Sequence, residues 1–243
     1  MKMLSVARKN LLEIIRDPLN IAFGLGFPLG LLLLMTLIQR SIPVSLFELP
    51  HLTPGIVVFG HSFLALFAAT TLARDRCSAL LQRLYTTPLT SLDFIGGYFL
   101  PLLPLGLMQA LLCYGAALGL GLNANPSILY ALLCSLFSAI FFICLGLMLG
   151  SICTDKQASG LCGGLLTNLC ALLSGAWFDL SMVGGVMEKI AQALPFYHAV
   201  EMGRKLLQGQ SAEILPHLVI LLAYILVTAA ASGLLFLRQM RRH

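Results

Sequence analysis

Five long stretches of this sequence contain no Asp, Glu, Lys or Arg, and they constrain the fold more than any other feature. They cover residues 18–39, 49–73, 94–154, 157–178 and 214–237. A helix needs about 20 consecutive apolar residues to cross the hydrocarbon core of a bilayer. Four of the stretches have the length of one crossing, and the stretch of 61 residues has room for two. The sequence therefore predicts an all-α integral membrane protein.

The composition excludes the common classes of soluble protein. Hydrophobic residues make up 58% of the chain and charged residues 10%, whereas a soluble domain has roughly 45–50% and 25%. So few polar side chains cannot cover a surface that faces water. Nucleic-acid binding and a disulfide scaffold are excluded as first interpretations as well. Helices are favoured over a membrane β-barrel because the stretches are long and do not alternate between polar and apolar residues.

The longest uncharged stretch divides at residues 119–126, where Gly-Leu-Gly-Leu-Asn-Ala-Asn-Pro is typical of a turn. We therefore predict one membrane domain over residues 1–243 with six spans, near residues 21–39, 55–73, 96–119, 127–151, 157–178 and 215–237. Three segments lie outside the predicted spans: an N-terminal helix in residues 1–20, a loop at 74–93 and a helical element at 179–214.

The basic residues predict the orientation of the chain. With six spans, both termini lie on one side, and that side carries 11 of the 15 Lys and Arg residues. Lys and Arg are enriched in cytoplasmic loops, so we predict that both termini are cytoplasmic. The net charge of +5 is then a signal of topology and of contact with anionic lipid. The spacing of the seven cysteines matches no metal site, and none lies in a predicted external loop.

The N-terminal segment 3–16 has the pattern of an amphipathic helix. Its polar stripe comprises Lys2, Lys9, Glu13 and Arg16. The opposite side comprises Leu4, Ala7, Leu11, Ile14 and Ile15. We interpret it as a helix in the membrane interface whose basic residues face lipid headgroups. A solvated N-terminal helix is the alternative.

The loop at 74–93 predicts a second short amphipathic helix. Leu80, Leu81, Leu84 and Tyr85 repeat at helical spacing, and Pro88 ends the pattern. Such a helix at the cytoplasmic face needs a protein partner for its apolar stripe. A juxtamembrane helix that carries only positive-inside charges fits the residues equally well.

The element at 179–214 predicts two short helices, each with an apolar face, which Pro195 divides. A re-entrant or lid-like element that packs on protein fits this pattern. A helix pair at the external membrane surface fits it almost as well.

Two motifs resemble the permease subunits of type-2 ABC transporters, especially bacterial members that are similar to drug exporters. Residues 72–90, Leu-Ala-Arg-Asp-Arg-Cys-Ser-Ala-Leu-Leu-Gln-Arg-Leu-Tyr-Thr-Thr-Pro-Leu-Thr, resemble the segment after the second span of that family. Leu-Ser-Gly-Ala-Trp-Phe-Asp-Leu at 173–180 and Ala-Leu-Pro-Phe-Tyr-His-Ala-Val at 193–200 resemble the block before the last span. Cys77, Gln82 and Asp179 depart from the usual Gly, Glu and Pro.

The resemblance implies a subunit of an ATP-driven exporter in the cytoplasmic (inner) membrane. It implies two ATPase subunits as partners, together with a second permease, identical or related. The apolar spans suit a hydrophobic or amphiphilic cargo such as a drug, a lipid-like molecule or a peptide, as in multidrug resistance. ATP and Mg would bind the ATPase, because this chain has no Gly-x-x-x-x-Gly-Lys-Ser/Thr motif. We expect no cofactor, no nucleic acid and no enzyme activity in this chain.

The resemblance also implies three groups of functional residues. The residues implied to couple the permease to the ATPase are Arg74, Asp75, Arg76, Leu80, Leu81, Arg83, Leu84 and Tyr85. A connecting helix contributes Arg8, Lys9, Glu13 and Arg16. The translocation pathway includes Phe63, Phe67, Thr70, Thr167, Asn168 and Trp177, although the aromatic residues fit packing or lipid contact equally well. No catalytic or metal-binding residue is predicted.

Two other classes of membrane protein fit the sequence less well. An ion-coupled transporter or channel of six spans normally has charged residues inside its spans, and here the span interiors offer only His61 as an ionisable candidate. We expect that histidine to be structural. An intramembrane protease needs a Gly-x-Ser-Gly nucleophile and a histidine in a later span. Ala158-Ser159-Gly160 lacks the leading glycine, and His217 lies at the end of a span.

Overall fold

The computed structural model describes residues 2–43, 47–77, 91–177, 180 and 184–240, and the regular structure in these residues is helical. The helices are α1 (Lys2–Arg16), α2 (Pro18–Ser41), α3 (Leu49–Arg76), α4 (Ser91–Leu120), α5 (Ser127–Ile152), α6 (155–173), α7 (Gly185–Gln192), α8 (Pro195–Leu207) and α9 (Leu215–Met240). A π-helical segment lies in α2 at Ala22–Gly26 and in α6 at Gly160–Leu166. The all-α prediction is confirmed for this part of the chain.

Five helical segments in the described residues are long and apolar enough to cross a membrane. They are Pro18–Ser41, Leu49–Arg76, Ile95–Leu120, Ser127–Ile152 and Ser211–Phe236, and each overlaps one predicted span. The predicted break in the long uncharged stretch is confirmed, because α4 ends at Leu120 and α5 begins at Ser127. Gly121 between them has a φ of 115°, a conformation that a side chain would strain.

The predicted span at 157–178 differs from the other five. Its helix, α6, ends at Leu173, and the next four described residues are not helical. Thr154 caps the first turn of α6 with its side chain, and that turn carries Asp155 and Lys156. This helix is therefore shorter and more polar than the five spans. The count of six stays a prediction.

Helix α3 forms the centre of the fold, since it packs against α2, α4, α5, α6 and α8. Its contact with α5 is unusually close. A Cβ atom at Gly146 would lie 2.4 Å from the carbonyl oxygen of Ala65, and one at Gly150 would lie 2.7 Å from that of Ala69. Glycine at both positions lets the two helix backbones touch directly.

The described chain has two polar ends. At the end where α3 finishes, which we call the Asp75 end, α1 packs against the beginning of α4. At the end where α3 begins, which we call the Arg204 end, α8 packs against α3, α5 and α9. The prediction of two short helices divided by Pro195 is confirmed, because Pro195 is the first residue of α8. The interfacial placement of residues 1–20 and 179–214 stays a prediction.

The face of α1 that packs against α4 includes part of the predicted apolar side. Ala7 and Ile14 are buried there, whereas Leu4 is 58% and Ile15 53% exposed. Asn10 is buried on the same face, where its Nδ2 donates to the carbonyl oxygen of Gly97 on α4 at 3.1 Å. The sequence pattern did not predict this polar contact.

Candidate functional site

One buried carboxylate connects three helices at the Asp75 end. Asp75 lies in the last turn of α3 and is 6% exposed. Lys9 Nζ on α1 donates to Asp75 Oδ1 at 2.9 Å and to Oδ2 at 2.7 Å. Tyr98 Oη on α4 donates to Oδ2 at 2.6 Å. We call these three residues the Asp75 joint, and its charged hydrogen bonds hold α1, α3 and α4 together.

Exposed charges surround this joint. Lys9 Nζ also lies 3.1 Å from Glu13 Oε2, and Arg74 Nη1 lies 3.6 Å from Glu13 Oε1. Burial disfavours the charged ammonium of Lys9, but the hydrogen bonds and charges of Asp75 and Glu13 outweigh this effect and raise the pKa of Lys9. Arg8 and Arg16, the other two predicted residues of the connecting helix, are exposed.

Arg76 connects α3 to a fourth helix. Its Nη1 donates to the carbonyl oxygens of Gly150 at 2.6 Å and Cys153 at 3.3 Å, at the C-terminus of α5. A guanidinium satisfies the free carbonyl groups of a helix end and opposes the negative pole of its dipole. Among the predicted coupling residues that the structure describes, only Arg74 faces outward. Leu80, Leu81, Arg83, Leu84 and Tyr85 lie outside the described residues.

The predicted pathway residues do not form one surface within a single chain. Phe63, Phe67 and Thr167 are buried in the core. Trp177 is half-buried, and its ring lies 5.8 Å from that of Phe59. By contrast, Asn168 is exposed on the outer side of α6, where its Nδ2 donates to the carbonyl oxygen of Gly164 at 2.6 Å.

An open groove of about 510 Å³ lies between α2, α3 and α6 at the Asp75 end. Its apolar part consists of Leu19, Phe23, Leu66 and Phe67. Its polar part consists of Asp17, Asn20, Thr70, Arg74, Asp155, Lys156 and Ser159. Two predicted pathway residues, Phe67 and Thr70, therefore line a cavity together. We call this cavity the α2–α6 groove, and its apolar wall and charges of both signs suit an amphiphilic molecule.

A buried guanidinium organises the Arg204 end. Arg204 on α8 is 4% exposed, and its Nε donates to the carbonyl oxygen of His51 in the first turn of α3 at 3.1 Å. Its Nη1 donates to Glu201 Oε1 at 2.9 Å, and its Nη2 donates to the carbonyl oxygen of Gly175. The sequence analysis missed this residue and also Tyr98. The spacing of Glu201 and Arg204, three positions apart in an apolar helix, was the available signal.

His61, the ionisable candidate inside the second span, is held by hydrogen bonds to two other helices. His61 Nδ1 lies 2.6 Å from Ser138 Oγ, and its Nε2 lies 3.2 Å from the carbonyl oxygen of Gly106. Both ring nitrogens thus have partners on neighbouring helices, as expected for a packing histidine.

A comparison of the sequence with known protein families agrees with this helical architecture. A family model described as ABC-2 type transporter matches residues 1–207. The chain belongs to this family. It is therefore an integral membrane permease subunit of an ABC transporter, a type of subunit that associates with ATPase subunits. No curated protein gives a significant match to the chain.

The match to the ABC-2 family covers every element of the site described above. It includes α1, the Asp75 joint, the α2–α6 groove and Arg204 on α8. Helix α9 lies beyond the matched residues.

Proposed function

We propose that this ABC-2 permease forms half of the translocation unit of an ATP-driven exporter in the cytoplasmic membrane. In this proposal both termini are cytoplasmic, the permease has six spans, and two separate ATPase subunits bind at the Asp75 end. The Asp75 joint is the observation that carries the proposal. It fastens α1, α3 and α4 together at the beginning of the segment whose sequence resembles the coupling helix of the family.

The Asp75 joint connects the loop that would contact the ATPase to several helices of the membrane domain. Asp75 fixes the last turn of α3 to α1 and α4, and the next residue, Arg76, fixes it to the end of α5. Charge-assisted hydrogen bonds of this length are strong and directional. A displacement of the loop would therefore move four helices together. This arrangement supports the loop at 74–93 as the site where ATP hydrolysis acts on the permease.

The α2–α6 groove supports a hydrophobic or amphiphilic cargo. Its aromatic wall offers apolar contact, and the acidic and basic side chains at its edge offer partners for a charged headgroup. Drugs, lipid-like molecules and peptides fit this surface, which agrees with a role in multidrug export.

The exposed side of α6 supports the proposal that a second permease subunit binds there. Gly160, Gly164 and Asn168 are exposed on this side, together with Leu161 and Leu165. Small residues such as these glycines let two membrane helices approach closely. A second copy, or a related chain, would cover this side and enclose a pathway between the two subunits.

The direct test of the exporter is reconstitution of the purified permease and ATPase in proteoliposomes. We expect ATP-dependent, vanadate-sensitive movement of an amphiphilic probe, such as ethidium or a fluorescent phospholipid. The ion-coupled alternative predicts movement that an ion gradient drives without ATP. That result would overturn the proposal. Since His61 has partners on both ring nitrogens, the structure gives this alternative no support.

The proposed topology predicts which sites a membrane-impermeant thiol reagent can reach in intact cells. In a variant without native cysteines, Lys2→Cys, Thr86→Cys and His243→Cys should resist the reagent, because they lie on the cytoplasmic side. Phe47→Cys and Val186→Cys should react, and the 74% exposure of Val186 makes it the better positive control. Reaction at residue 86 from outside would reverse the orientation and remove the coupling role of the loop.

The proposed pathway predicts a specific effect of Asn168→Leu. Because the side chain is exposed and bonds only within its own helix in the described structure, the fold should tolerate the change. We expect cargo-stimulated ATPase activity to fall several-fold, with assembly of the complex unchanged. Leu165→Met on the same side of α6 is the matched control. If stimulation by several cargoes is normal in Asn168→Leu, Asn168 does not belong to the pathway.

A further inference from the structure

Two histidines face each other at the Arg204 end, in a contact that the proposed transport mechanism does not use. His198 on α8 and His217 on α9 approach with their Nδ1 atoms 2.8 Å apart. The ring centroids are 5.0 Å apart, and the ring of Tyr197 packs against both imidazoles. The His198 residue is 6% exposed. The pair is therefore a direct polar contact between α8 and the last long apolar helix.

The geometry limits how many protons the contact can hold. At 2.8 Å one Nδ1 must carry a hydrogen and the other must accept it with its lone pair. One added proton leaves this hydrogen bond intact. With two added protons both Nδ1 atoms become donors, and two positive charges face each other. The closed contact therefore holds at most one added proton, whereas two separated histidines bind two.

In the described part of the chain, the two carboxylates whose charges act on the pair are already paired with basic residues. Glu201 on α8 is the acceptor of Arg204 at 2.9 Å, and Glu213, just before α9, pairs with Lys205. Helix α5 packs against both α8 and α9 and has no charged residue. Burial, and then the neighbouring imidazole, lower the pKa of His198 below its ordinary value. They outweigh a backbone hydrogen bond with Gln192 and the charge of Glu201, which both act to raise it. The neutral pair is thus the form that this site favours.

We propose that the His198–His217 contact is a pH-sensitive latch, which holds α8 against α9 at neutral pH and releases it in acid. The latch does not depend on the proposed export function. A free histidine has a pKa near 6.5, so below that pH the separated pair binds one proton more than the closed pair. The closing equilibrium should therefore weaken by about tenfold between pH 7.5 and pH 5.5.

Release of α8 would reach other parts of the molecule, because the same helix carries Arg204. That guanidinium joins α8 to the beginning of α3 and to the loop after α6. In the orientation proposed above, this end faces the exterior, so the latch would respond to the pH outside the cell. Acid would weaken the contacts of α8 at the Arg204 end and leave the Asp75 joint unchanged.

Hydrogen–deuterium exchange of the full chain in lipid nanodiscs tests the latch, with EDTA present to remove metal ions. After correction for the intrinsic dependence on pH, peptides from α8 should lose protection by about tenfold or more between pH 7.5 and pH 5.5. Peptides from α5 serve as the internal reference and should not change. His51→Gln, a change of another histidine at the same end, should keep the response of the wild type. Protection of α8 that is independent of pH would overturn the proposal.

Two substitutions assign the response to the pair. His217→Gln keeps a hydrogen-bonding group but cannot charge, so α8 should stay protected at both pH values. His217→Lys supplies a permanently charged donor, which neutral His198 can accept. In this variant α8 should therefore stay protected at pH 7.5 and lose protection at pH 5.5, where His198 also becomes charged. A normal pH response in His217→Gln, or full protection of α8 at pH 5.5 in His217→Lys, would show that the pair is not the latch. If His217→Gln does not fold, the His217→Lys and His51→Gln results still decide.

Discussion

Changing Leu80 and Leu84 together to Asp is expected to detach the ATPase subunits from this permease. The two leucines belong to the apolar ridge that the sequence pattern predicts for residues 74–86. In the proposed complex a groove on the ATPase buries that ridge. The double substitution removes the apolar contact and forces two unpaired carboxylates to lose their water, which costs several kcal/mol. Co-purification of the ATPase with tagged permease in detergent measures the effect, alongside ATP turnover and export.

Arg83→Ala is the matched control for this experiment. A charge at the edge of an interface mainly changes association rate and specificity, so most of the ATPase should still co-purify. An unchanged thermal midpoint of the double variant would show that the membrane domain is intact. If the double variant binds the ATPase and exports cargo at the normal rate, the loop is not the coupling element. The proposal that ATP hydrolysis acts on the permease through this loop would then be wrong.

Asp75→Ala is expected to abolish coupled transport while the ATPase stays bound. The substitution removes the acceptor of the Lys9 and Tyr98 hydrogen bonds and leaves the Tyr98 hydroxyl without this partner. Each hydrogen bond to a charged group contributes about 1.5–3 kcal/mol, so the joint should lose about 2–4 kcal/mol. We expect a lower thermal midpoint, faster proteolysis in α1 and a decrease in export of at least about tenfold.

Two milder changes at the same place calibrate this result. Tyr98→Phe removes the hydrogen bond from the Tyr98 hydroxyl to the charged Asp75 carboxylate and should cost about 1.5–3 kcal/mol. Arg74→Ala removes the 3.6 Å contact with Glu13, and since the Arg74 side chain is 59% exposed, stability should change by less than about 0.5 kcal/mol. If Asp75→Ala exports cargo at the normal rate and leaves α1 as resistant to proteolysis as in the unsubstituted protein, the joint does not transmit movement.

The positions of the long helices could be predicted from charge alone. A charged side chain is costly in hydrocarbon, so the gaps between charges show where the chain crosses. Residues 119–126 were equally informative, because glycine, asparagine and proline are poor helix formers and α4 does end there. Charge alone is less decisive for residues 157–178, because Gln157, the glycines and Asn168 make this uncharged stretch more polar than the others.

The directions of Asp75 and Arg76 could not be predicted. The sequence shows Arg74, Asp75 and Arg76 as three charges at the end of a span, and nothing local distinguishes the inward pair from the outward Arg74. The partner of Asp75 on α1 is 66 positions away, and a carbonyl partner of Arg76 is 74 positions away. Only the packing of α1 and α5 around α3 brings these groups together.

Arg204 shows the same limit more clearly. As one basic residue on the side with few of them, it contributed only to the count that predicted topology. In the structure it is almost fully buried, and one of its partners, His51, lies 153 positions away. A buried guanidinium is stable only when several acceptors surround it, and these come from three separate parts of the chain.

The glycine contact between α3 and α5 restricts how this membrane protein can change shape. At Gly146 and Gly150 the two backbones touch, so neither helix can roll over the other without a clash. We therefore expect α3 and α5 to move as one rigid unit. The first long helix, α2, is mostly exposed, and so is the outer side of α6. We therefore expect any change of shape to occur in these outer helices, while α3 and α5 keep their relative positions.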